Sequence, residues 1–137
     1  MTLTRVAELM KLMSDIAGHV SQLHLSLSGK AAHAHKMQGI ADQGEGIDKT
    51  FLPQASAAVM GGAVADYMAI HADAARFHGV YSDLILELGP PDSVFFRPYA
   101  DDGAQALLSA VEWLTKEAEK HIKVVQEFWN TNKGDVK

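Results

Sequence analysis

A chain of 137 residues, 47% of them hydrophobic and 21% charged, has the size and composition of one folded domain rather than of a disordered segment. Its formal net charge of −5, with Lys and Arg scattered along the sequence, leaves no basic stripe to neutralise nucleic-acid phosphates. The absence of cysteine excludes disulfides, thiolate metal sites and cysteine nucleophiles together.

The first predicted element begins at a capping Thr2 or Thr4. Val6, Leu9, Met13, Ile16, Val20, Leu23 and Leu27 alternate by three and four, the seam of a helix packed lengthwise on other helices. Arg5, Glu8 and Lys11 break any signal-peptide core, so a cytoplasmic location is expected. Ser28 and Gly29 interrupt the pattern, which resumes over residues 30–42 with Ala34, Met37 and Ala41. The bundle therefore has three helices, or four if the first breaks near Gly29. Residues 43–53, with Gly44, Gly46 and Pro53, are expected to form a loop. Lys49 and Thr50 there end a stretch superficially like a phosphate-binding loop, but Asp48 holds the position that needs glycine.

A second helix is expected from about Gln54 to Leu88, with Ala63, Tyr67, Ile70, Ala74, Phe77, Tyr81, Leu84 and Leu88 on its seam. Gly89, Pro90 and Pro91 stop it. Residues 55–65 form the longest uncharged apolar run, far short of the ~20 apolar residues of a membrane span. Apolar all round, this run must be covered by something. Ala57, Gly61, Ala65, Ala69 and Ala72 form a ridge of small side chains that lets another helix approach closely, either from a second subunit or from within the chain.

Residues 92–100 are expected to be a connection in which Phe95, Phe96, Arg97 and Tyr99 form a plug over the bundle end or an anchor for a partner. Asp101 or Asp102 then caps a third helix running to about Asn130, with Leu107, Val111, Leu114, Ala118, His121, Val125 and Phe128 on its seam. Glu112 with Lys116 and Glu119 with Lys123 mark its solvated face.

Seven histidines are present, yet neither Glu-x-x-His nor His-x-x-x-His occurs, the spacings that place two ligands on one helical face. His71 and His78 share a face of helix two, and with His121 they would form a metal or haem site only if the helices align in depth. His121 also stands out by itself, because a seam imidazole needs partners for its ring nitrogens and suits a pH-sensitive contact. No nucleophile elbow or isolated carboxylate pair is found.

The stretch Ala34-His35-Lys36-Met37-Gln38-Gly39 resembles the phosphorylation motif of histidine phosphotransfer domains. That resemblance implies a four-helix bundle with His35 as phosphoacceptor. Gln38 stands where the family has the lysine that neutralises the phosphoryl group.

The sequence thus predicts a single all-α domain over residues 1–137, a bundle of three long helices, mostly antiparallel, with coiled-coil-like packing. The expected role is a non-catalytic interaction or assembly module without cofactor, nucleic acid or membrane. It would self-associate, or bind a protein partner, through Ala57, Gly61, Ala65, Ala69 and Ala72, with Phe95, Phe96, Arg97 and Tyr99 as a second contact. A phosphotransfer domain using His35 and a metal- or haem-binding bundle are the alternatives.

Overall fold

The alternating seams become three helices, α1 (Leu3–Gln43), α2 (Leu52–Leu88) and α3 (Phe96–Asn132), with one short 3-10 turn, Lys49–Phe51, before α2. The structure, a computed structural model, describes residues 3–44, 49–94 and 96–133, and of residues 49 and 97–102 the backbone alone. Among the described residues there is no strand, and no helix is long and apolar enough to cross a membrane.

α1 runs unbroken through Ser28 and Gly29, so the alternative of a fourth helix is not taken. One glycine costs a helix about 1 kcal/mol. Burial of Leu27, Ala31 and Ala34 around it outweighs that, since a fully buried leucine alone contributes about 1.5–3 kcal/mol. α1 ends where Gly44 turns to a φ of 72° and its N–H donates to the Ala41 carbonyl at 3.1 Å, a conformation glycine adopts without a Cβ clash. α2 starts at Leu52 with Pro53 in its first turn, where a missing amide proton costs nothing. Buried Ser56 satisfies its hydroxyl by donating to the Pro53 carbonyl at 3.1 Å.

The turn from α2 to α3 departs from the sequence expectation. α3 begins at Phe96, so Phe96, Arg97 and Tyr99 belong to helix and not to a loop, and Asp101 and Asp102 lie inside it instead of capping it. Ser93 is the cap: its hydroxyl oxygen accepts the Phe96 N–H at 3.2 Å and its hydroxyl donates to the Leu88 carbonyl at 2.9 Å, closing both helix ends. Gly89, at φ 86°, donates its N–H to the Ile85 carbonyl at 2.6 Å. Pro98, three residues into α3, sits where an amide donor is not needed.

Contacts group the chain into two compact units, Met1–Gln22 with Ile70–Thr115 and Leu23–Ala69 with Lys116–Lys137. In each, a segment of every helix packs on the other two.

The core of the first unit holds Leu9, Met13 and Ile16 of α1, Phe77 and Leu84 of α2, and Phe96 and Val111 of α3. At its edges His19 pairs with Asp73, and Gln105 donates to the Tyr81 hydroxyl at 2.8 Å. Phe96 lies edge-on to Tyr81 with ring centroids 6.4 Å apart.

The second unit buries Leu27, Ala31 and Ala34 of α1, Leu52 and Ala63 of α2, and Ala118, Ile122, Val125 and Phe128 of α3. Small side chains make up much of that core. Its polar ties are Lys30 and Ser26 to Asp66, each at 2.7 Å, and Asn132 to the Gln38 side-chain oxygen at 2.7 Å.

Candidate interaction surface

In the second unit α2 buries one face and leaves the other bare. Ser56 and Ala63 are buried, whereas Gln54, Ala57, Ala58, Gly61, Ala65 and Met68 are exposed. Asp66 is the only charged residue between Leu52 and Ala69, and it is turned toward α1. There it accepts from the Lys30 ammonium and the Ser26 hydroxyl, and the same ammonium donates to Ser26 at 2.7 Å. Lys30 lies so close over α2 that a Cβ added to Gly62 would meet its Cε at 2.7 Å.

The exposed side of this α2 segment is therefore uncharged, lined by small residues, and carries one large apolar side chain, Met68, at 66% exposure. Water meets this side chain at a cost that a partner surface would remove.

The ridge read from the sequence falls on this side. Ala57, Gly61 and Ala65 are exposed and Ala69 is half-buried in this unit; Ala72, also exposed, belongs to the first unit. A Cβ on Gly61 would meet nothing within 4 Å, so no helix of the chain occupies the groove there. Of residues 55–65 only Ser56 and Ala63 are buried within the chain, so the chain's own helices cover one face of this run and leave the other open.

The second contact is redrawn as well. Phe96 is fully buried, so it packs inside its own unit and is not presented to a partner. Phe95 lies outside the described residues, as do the side chains of Arg97 and Tyr99.

The histidines separate by environment. His71 and His78 are exposed on α2 in the first unit, and His121 belongs to the second. Among the described residues no group of three or more His, Cys, Asp or Glu is placed to hold a metal ion, so the ligand set imagined from His71, His78 and His121 is not assembled. His35 is exposed and borders two shallow cavities along α1 and α3. One, of about 310 Å³, also meets Ala31, His121 and Val124; the other, of about 150 Å³, meets Gln38, Glu127 and Phe128. Gln38 donates to Asp42 and accepts from Asn132, both at 2.7 Å, so the residue in the lysine position of the phosphotransfer motif is already engaged.

His121 meets an imidazole that the sequence reading passed over. The rings of His24 and His121 lie 5.0 Å apart between centroids, tilted by 56°, and both side chains are half-buried. Burial lowers the His24 pKa from the ordinary imidazole value, the nearby His121 lowers it further, and Glu117 opposes them. The hydrogen bond from Lys120, at 2.9 Å, holds the Glu117 carboxyl below the usual carboxylate range. His24 stands next to Leu23 on the seam of α1, and that adjacency was the available signal. Also in this unit, burial raises the Tyr67 pKa, with Glu119, which accepts its hydroxyl at 3.4 Å, adding to the rise.

No family model, curated protein or solved structure matches this chain.

Proposed function

We propose that the protein is a non-catalytic, cytoplasmic helical assembly module that self-associates through the exposed face of α2 at Ala57, Gly61, Ala65 and Met68. The observation that carries this reading is that face: six exposed positions between Leu52 and Ala69, none of them charged, with the one carboxylate of the segment turned inward to Lys30. Small side chains let two helix backbones approach closely, so many weak dispersion contacts add up over a short length. Met68 supplies an adaptable side chain that fills irregular gaps at such a seam.

The helices themselves are read as mostly antiparallel neighbours. Ser26 and Lys30 both reach Asp66, and the Lys30 chain lies over Gly62, which supports α2 numbering falling as α1 numbering rises. His24 with His121 and Gln38 with Asn132 support a parallel course for α1 and α3.

The test is the molar mass in dilute solution by light scattering, for the wild type and for Gly61→Leu and Ala65→Leu. Gly61 is open to solvent with no neighbour to meet a new side chain, so the leucine leaves the fold intact and obstructs only a close-approaching partner. A wild-type mass above that of one chain at tens of micromolar, reverting to one chain in the variants with helicity unchanged, is the expected result. A monomeric wild type at that concentration removes the proposal.

A further inference from the structure

Two half-buried imidazoles in contact cannot both carry charge without cost. His24 of α1 and His121 of α3 place their rings 5.0 Å apart, a distance at which two unit charges repel by several kcal/mol at an effective dielectric of about 20. The Glu117 carboxylate of α3 acts on both imidazoles, and it also accepts from Lys120 at 2.9 Å. On α1, Lys30 is held by Asp66 of α2. From α2, Tyr67 directs its hydroxyl to Glu119. Glu117 offsets the repulsion at His24 in part, but burial and the neighbouring imidazole each act on it more strongly.

We infer that the His24–His121 contact is an acid-sensitive latch, which holds α1 to α3 in this unit while the imidazoles are neutral and loosens when both are protonated.

The sign follows from proton binding. His24 has its pKa lowered in the folded chain, by burial first and by His121 second. Below the ordinary imidazole value near 6.5, the unfolded chain therefore binds more protons than the folded one. Stability fully present above that value falls as the pH drops below it, and levels off once folded His24 is itself protonated. This range is one that imidazoles alone among unperturbed side chains cross.

Thermal unfolding of the full chain at about pH 7.5 and about pH 5.5 tests the inference. The wild-type midpoint is expected to drop by several degrees on acidification, and the drop to shrink by at least half in both His24→Gln and His121→Gln. An equal drop in wild type and variants overturns the latch, because the acid sensitivity then resides in other groups. Imidazole titration of the wild type by NMR supplies a readout that survives a poorly folding variant. His24 should titrate below the ordinary imidazole value near 6.5, and in His121→Gln its midpoint should rise. A His24 midpoint at or above that ordinary value overturns the inference, as does one indifferent to residue 121.

Discussion

Ser93 holds two helix ends with one hydroxyl, donating to Leu88 and accepting from Phe96, and Gly89 lies directly beneath it. A Cβ at Gly89 would sit 3.0 Å from the Ser93 Oγ, on a backbone with φ at 86°. Gly89→Ala is therefore expected to lower unfolding free energy by about 1–2 kcal/mol through the left-handed backbone alone, with the crowding of Ser93 added to it. Ser93→Ala should cost about 1 kcal/mol through the lost cap. Urea unfolding measures both, and a neutral Gly89→Ala would show that the turn rearranges freely. The sequence pointed to Asp101 and Asp102 because acidic side chains near a predicted helix start are good caps. It missed Ser93 because the aromatic run between them resembles an apolar loop, although Phe96 is the first buried residue of a helix. The contact of His24 with His121 was half legible: the seam position of His121 showed, but which residue of another helix met it depends on register, and every seam offers similar neighbours.

At the scale of the element, periodicity did most of the work. Six of the seven seam positions named on α1 are buried, Leu23 alone being half-buried. On α2 the positions from Ala63 to Leu88 are buried except Tyr67 and Tyr81, whose hydroxyls reach Glu119 and Gln105. What periodicity could not decide was whether Gly29 ends a helix, since local propensity favours a break and packing on both sides overrides it. Gly29 is exposed with nothing within 4 Å of an added Cβ. Gly29→Ala is accordingly expected to stabilise the chain by about 0.5–1 kcal/mol, read as a higher urea midpoint. Destabilisation would mean that this turn is not ordinary helix. The ridge of α2 was likewise found by spacing, but spacing alone is silent on which side it faces. That followed from the burial of Ser56 and Ala63 on the opposite face and the inward turn of Asp66 toward Lys30 and Ser26.

For the molecule as a whole, 17 acidic against 12 basic residues make copies of the chain repel at long range, so the proposed self-association is expected to rely on its uncharged face. Salt then discriminates between modes of assembly, because screening acts on charges and leaves apolar contact in place. The mass measured by light scattering should hold or rise as salt is added; a fall toward one chain would contradict assembly through the bare face of α2. Both compact units draw on all three helices, with their boundaries inside α1, α2 and α3. No single scission of the polypeptide can therefore release either unit whole. One unit needs residues 1–22 together with 70–115, the other 23–69 together with 116–137. A fragment cut at any one point is therefore expected to lose part of both cores, which circular dichroism of the separated pieces would show as lost helicity.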